Sequence, residues 1–241
     1  MRGLRSRPPL GGGEVTNRAF WSLTVSNVVI GPLLFLFCLR QWGTDHPWSR
    51  VDLYSGSFLA LAIFIAVEEA ITFARRAFRS REVAFEALGF SYDPSLVRLG
   101  MLLNAAVVLV VLDYAHWHLV PALARPLLQN LGIALGVFGA LWQTWADAWL
   151  GRHFASDSPQ RKLMTGGPFR FVRHPRYAAF LVRKLAWPLL FASPIGWALL
   201  PAWLVLISKR IRREEAHMTE LFGAEYAAYA HRSARLLPGI Y

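Results

Sequence analysis

Cysteine is nearly absent. Cys38 stands alone among 241 residues, so no disulfide can close within the chain, and no CxxC or Cys/His metal-ligand spacing exists. Charge is also scarce: Asp, Glu, Lys and Arg make up 17% of the residues, against about 25% in an ordinary soluble domain. Acidic residues are the scarcer kind, 15 against 26 Lys and Arg, which leaves a net charge of +11. In a chain that is 55% hydrophobic, with ten Trp and sixteen Phe, this shortage argues against a soluble globule and for a bilayer protein. The beginning of the chain lacks an apolar core. Met1–Thr16 is rich in Arg, Pro and Gly, too polar for the apolar part of a signal peptide, and reads as loose.

Long apolar runs are what the chain has instead. Ala19–Trp42, Leu53–Phe78, Leu99–Val120 and Pro126–Gly151 each approach the 20 or so residues with which a helix crosses about 30 Å of hydrocarbon. Only helices satisfy their own backbone at that depth without closing a barrel. Two shorter runs follow, Tyr177–Ala192 and Ile195–Ser208, divided by Ser193-Pro194; they read as a tight helical hairpin. Its second arm is expected to continue as a polar helix towards Pro238, with Ile211, Met218, Leu221 and Phe222 on one face and Gly223 interrupting or capping it. The expected fold is all-α: a polytopic membrane helix bundle of about six apolar segments, ending in the hairpin and a cytoplasmic amphipathic helix. Residues 1–18 form a loose basic start, 19–150 a four-helix transmembrane bundle, and 151–241 a C-terminal region of different character.

Basic residues set the orientation. Assigning Lys and Arg to alternate sides of six segments puts 23 on one side and 3 on the other. Both termini and the loop after residue 151 are therefore expected in the cytoplasm, in a bacterial inner membrane or an endoplasmic-reticulum-type membrane. The same asymmetry accounts for the positive charge without nucleic acid, and anionic lipid head groups are its expected partners.

The densest cationic loop is GPFRFVRHPRY, Gly167–Tyr177. Gly166-Gly167-Pro168 permits close backbone approach and fixes the chain direction. Pro175 pushes His174 out of helical geometry and suits the first turn of a following helix, whose positive end favours an anionic group. Glu214-Glu215 lie on the helix that leaves the hairpin. A tight hairpin brings its two ends together, so Arg173-His174 and Arg210/Glu214 are expected to face one cavity with walls of both signs, suited to a zwitterion. The competing reading of the two glutamates is ordinary pairing along their own helix, worth a few tenths of a kcal/mol.

The segments LGRHFA (150–155), TGGPFRFVRHPRY (165–177), SPIG (193–196), RREE (212–215), FGAEYAAY (222–229) and RLLP (235–238) together resemble the isoprenylcysteine carboxyl methyltransferase family. They are more loosely similar to phospholipid N-methyltransferases. The resemblance implies S-adenosylmethionine bound in a cytoplasm-facing pocket, S-adenosylhomocysteine as product, and a membrane lipid or lipophilic small molecule entering from the bilayer. It assigns Gly167, His174, Tyr177, Glu214 and Tyr226 to the cofactor, with Glu214 receiving its ammonium group. Arg210 would face the reacting centre or the cofactor carboxylate, with Arg173 and Glu215 assisting. Tyr226 and Tyr229 would close the pocket, although simple packing also explains them and Phe222.

In such a transfer the enzyme mainly aligns donor and acceptor and excludes water. A carboxylate acceptor needs no base, whereas an amine, phenol or alcohol must lose a proton. Carboxylate or phenolic oxygen is the first expectation, and a lipid amine or small thiol the next. The alternatives are an NADPH-dependent sterol- or enone-type membrane reductase, which shares a similar RHPxY turn, and a non-catalytic membrane scaffold. Arg183-Lys184 fall inside the hairpin's first arm, where charge is costly. Snorkelling to the interface is one reading, and binding of an acidic substrate head group is the sharper one. Glu68 and Glu69 are interfacial charges by default, with a substrate-facing role as the alternative. Asp113, His116 and His118 read as interfacial. Asp147, among Trp142, Trp145 and Trp149, reads as part of an aromatic belt or of the pocket wall. No sequence feature sets the oligomeric state.

Overall fold

The computed structural model describes residues 53–79, 94–153 and 163–238. The first apolar segment and the basic start lie outside the described residues. Everything described is helix, turn or loop, apart from one isolated parallel bridge between Val172 and Ala234. The helices are α1 (Leu53–Arg79), α2 (Pro94–Ala105), α3 (Val107–Leu112), α4 (Pro126–His153), α5 (Pro175–Leu190), α6 (Pro194–Phe222) and α7 (Ala224–Arg232). The segments Arg98–Trp117 and Pro194–Phe222 are long and apolar enough to cross a membrane.

The helix punctuation follows local chemistry. Pro175 opens α5 and Pro194 opens α6, where a missing N–H costs nothing. Gly223, at φ 50° and ψ −121°, ends α6 and begins α7, in a region of backbone space that favours glycine. The third apolar run is less regular than its composition suggests. It breaks at Ala106 between α2 and α3, then finishes in a π-helical turn over Asp113–Trp117.

The most extensive helix pair is α4 with α5, and glycine permits it. A Cβ on Gly132 would stand 2.6 Å from Leu190 N, and one on Gly139 2.6 Å from Arg183 Cγ. Small residues let backbones approach, which matters where lipid is as apolar as the side chains and packing must supply the attraction. The bundle's outer faces are apolar in turn: Leu127 is 80% exposed, Leu102 69% and Leu141 60%. So much exposed hydrocarbon fits lipid contact.

Asp113 corrects the expectation of an interfacial charge. It is 2% exposed, accepting from Ser193 Oγ at 2.5 Å and from Leu119 N at 2.9 Å. Ser193 is the residue before α6, so this carboxylate ties the hairpin tip to the end of α3. Beside it, Gln129 Nε2 donates to Leu190 O at 3.2 Å, capping a carbonyl at the end of α5. Buried polar groups are placed this way because an unmade hydrogen bond there costs about 1–3 kcal/mol.

Candidate functional site

The open end of the hairpin brings the two halves of the expected constellation together. His174 immediately precedes α5, and Glu214 and Glu215 lie on the polar extension of α6. The imidazole stands between them, with Nδ1 3.3 Å from Glu214 Oε2 and Nε2 3.4 Å from Glu215 Oε1. Burial pushes the His174 pKa down. Hydrogen bonding and charge from Glu214 and Glu215 outweigh it, and the net shift is upward. Two carboxylates flanking one imidazole thus favour its protonated form over that of a free histidine.

Glu215 is saturated. Arg173 Nε approaches its Oε1 at 3.1 Å, and the Arg235 guanidinium reaches its Oε2 at 2.9 Å. Arg173 also donates to Ala230 O at 2.6 Å and to Ser233 O. The backbone completes the clasp, with Arg173 N donating to Ala234 O at 2.7 Å and His174 N to Arg235 O at 3.1 Å. The C-terminal RLLP stretch thus zips along the RHP loop. Sequence reading included RLLP in the resemblance but gave Arg235 no role. Its one visible signal was a basic residue inside the final matched segment.

Gly167 sits at φ +57°, and a Cβ there would meet the Trp149 ring at 2.3 Å. Only glycine fits, for both steric and backbone reasons. Trp149 therefore packs on the loop's entry instead of serving as a belt residue. Asp147 is also drawn in, as its Oδ1 lies 2.7 Å from Arg176 Nε. Tyr177 stacks near His174, with ring centroids 5.8 Å apart. Arg210, one turn before Glu214, directs its guanidinium towards α2, where a Cβ on Gly100 would lie 4.0 Å from Nη2.

Tyr226 and Tyr229 are buried with Leu163, packed against Met218 and Phe222. Tyr229 Oη donates to Phe169 O at 2.7 Å, which latches α7 to the 3-10 turn at Gly167–Arg170. Burial raises both phenols, Tyr229 to about 12, so each stays protonated.

Arg183 and Lys184 do not snorkel together. Lys184 is 5% exposed. Its Nζ lies 3.5 Å from the Trp187 ring centroid and 4.1 Å from that of Trp203, and it donates to Asn104 Oδ1 at 3.2 Å. Arg183 turns to α4 and donates to Gln143 Oε1. Glu68 and Glu69 fall within α1, but their side chains lie outside the described residues.

Two buried polar atoms bear on a zwitterionic guest. Beyond its ion-pair contact with His174, Glu214 Oε2 makes no hydrogen bond among the described residues, and neither does Tyr226 Oη. An ammonium donor meets the need of the first, and a hydroxyl or amine acceptor that of the second. S-adenosylmethionine carries both kinds of group, so the residues present fit it.

Residues 132–220 match the isoprenylcysteine carboxyl methyltransferase (ICMT) family. The protein-S-isoprenylcysteine O-methyltransferase of Saccharomyces cerevisiae is 30% identical over 241 residues, spanning 94% of this chain and 95% of the relative. The probable protein-S-isoprenylcysteine O-methyltransferase of Oryza sativa subsp. indica is 28% identical over 167 residues, covering 64% of this chain and 87% of its own length. Methanethiol S-methyltransferase of Mycobacterium tuberculosis is 25% identical over 166 residues, covering 60% and 65% respectively. The structure of the eukaryotic intramembrane Ras methyltransferase ICMT superposes with a TM-score of 0.56 at 16% identity, covering 95% of this chain and 98% of that one. At that identity the likeness concerns the fold, a membrane helix bundle.

Proposed function

Since this chain belongs to the isoprenylcysteine carboxyl methyltransferase family, an integral-membrane methyltransferase using S-adenosylmethionine, we propose that it methylates the carboxylate oxygen of a lipophilic acceptor entering from the bilayer. The reductase alternative gives way to that membership. One observation carries the choice of acceptor: the His174 ring stands between Glu214 and Glu215, with a carboxylate facing each nitrogen. With both ring nitrogens turned to carboxylates, neither is directed at an acceptor proton, and Glu215 is occupied by Arg173 and Arg235. An acceptor that arrives ionised needs neither. The names of the yeast and rice relatives, O-methyltransferases of isoprenylcysteine, support the same order. A small thiol, as in the mycobacterial relative's name, is the second reading.

Bound S-adenosylmethionine would supply an electrophilic methyl group on sulfur. In this reading Glu214 receives the cofactor's ammonium, Gly167, Tyr177 and Tyr226 line its pocket, and His174 holds Glu214 in place. Glu215 serves as the centre of the clasp, with Arg173 and Arg235, and not as a reacting group. Arg210 offers a cation to the acceptor carboxylate or to the cofactor's own. Lys184 shares the α5 face of Tyr177 two turns deeper, at the i, i+7 position, and stays on the acceptor side; Arg183, turned to α4, does not. Glu68 remains a substrate-side candidate by its place on α1 alone. The site faces the cytoplasm, as do both termini, an assignment that the lopsided distribution of Lys and Arg supports. The catalytic unit of residues 151–241 is extended back to include α4, whose Trp149 and Asp147 hold the RHP loop.

The test is incubation of the purified protein with methyl-labelled S-adenosylmethionine and a total lipid extract. A labelled product that releases methanol in mild base identifies an ester and supports the reading. Label found only in base-stable N-methyl or S-methyl products overturns it.

A further inference from the structure

We propose that a cleft beside the RHP loop binds the phosphate group of an anionic membrane phospholipid. The cleft has a volume of about 340 Å3 and is lined by Thr165, Arg170, Tyr229, Arg232 and Ser233. None of these residues belongs to the His174–Glu214 pair, and the proposal makes no assumption about the methyl acceptor.

Its charge is unspent. Arg173 and Arg235 are committed to Glu215, and Arg176 to Asp147. No described carboxylate pairs with Arg170 or Arg232, and both are exposed. The hydroxyls divide by role. Tyr229 Oη already donates to Phe169 O, and Ser233 Oγ to Tyr229 O, both at 2.7 Å; these two build the cleft. The Thr165 hydroxyl and two guanidinium forks remain as donors. A planar fork matches two phosphate oxygens at once, which a point charge does not. The carbonyls at the end of α7 would repel an anion, but Tyr229 O is covered by Ser233 and Ala230 O by Arg173.

A lipid source is favoured by what adjoins Arg170. Phe171 is 51% exposed and Trp145 40%, and their ring centroids are 6.3 Å apart. Exposed aromatic rings beside basic groups are the chemistry of a membrane–water interface with anionic lipid. A phosphate held here would join the 3-10 turn to the end of α7, the two segments that Tyr229 already latches.

The experiment measures binding of dioctanoyl phosphatidic acid, dioctanoylglycerol and inorganic phosphate to the full-length protein in neutral detergent. Phosphatidic acid is expected to bind saturably and the glycerol not at all. The double variant R170Q/R232Q should lose about tenfold or more in that affinity, because two charge-assisted forks are removed. R170K/R232K, which keeps the charge without the fork, should fall between. Unchanged affinity in the glutamine variant, or no saturable binding by the wild type, overturns the site. Equal affinity for inorganic phosphate overturns the lipid source. Should the glutamine variant fail to fold, R170K/R232K and Thr165→Val at wild-type melting temperature carry the test, and wild-type affinity in both overturns it.

Discussion

Nδ1 of His174 lies 3.3 Å from Glu214 Oε2 while Nε2 lies 3.4 Å from Glu215 Oε1, so one imidazole separates two consecutive carboxylates with different duties. Glu215 is gripped by Arg173 and Arg235; Glu214 Oε2 has only the His174 ion pair and makes no hydrogen bond among the described residues. Glu214→Gln should therefore weaken S-adenosylmethionine binding by about 10- to 100-fold, the usual worth of a hydrogen bond to a charged group, with little change in melting temperature. Glu215→Gln should do the reverse and destabilise the fold by about 1–3 kcal/mol, since it weakens hydrogen bonds to the partly buried Arg173 and Arg235. Calorimetric titration and thermal unfolding of both variants check the division; identical profiles would remove it.

The clasp should depend on pH with a definite sign. The folded pKa of His174 is raised above its ordinary 6.5. Its stabilising contribution is complete below pH 6.5 and is lost as pH climbs through the raised folded value. Melting temperature of the wild type should decline over that window relative to His174→Gln, which has no proton to lose. Parallel pH profiles for the two proteins would contradict it.

Gly167→Ala should destabilise the loop through two separable terms. The positive φ costs an alanine about 1–2 kcal/mol, and the new methyl meets Trp149 at 2.3 Å. In a double-mutant cycle Trp149→Ala should relieve only the steric part. Full rescue would mean that the backbone term is negligible.

At the far end of the hairpin, Ser193→Ala leaves Asp113 short of one buried donor. The expected loss is about 1–3 kcal/mol of stability, read by thermal unfolding, with cofactor affinity unchanged.

Lys184→Met keeps an unbranched stem in the Trp187–Trp203 cage and removes only the charge. Acceptor KM should rise while the Kd for S-adenosylmethionine stays constant. An equal change in both would reduce Lys184 to a packing residue, as would a loss of melting temperature alone.

What the sequence by itself determined is what depends on near neighbours. Pro175 and Pro194 opening helices and Gly223 ending α6 are local consequences of backbone sterics, and the structure has each of them; of the apolar runs, those at Arg98–Trp117 and Pro194–Phe222 form segments of bilayer length among the described residues. The hairpin also made one long-range contact legible, because two short arms joined at Ser193-Pro194 must return the chain to where it entered. That placed His174 beside Glu214. Only the tertiary structure decided the rest. Arg235 reaches Glu215, Asp113 is buried under Ser193, and Arg183 and Lys184 part towards different helices. Each of these depends on how helices cross and on which face each turns to its neighbour. Side chains next to each other in sequence point about 100° apart on a helix, and no periodicity in a single chain fixes what waits in either direction.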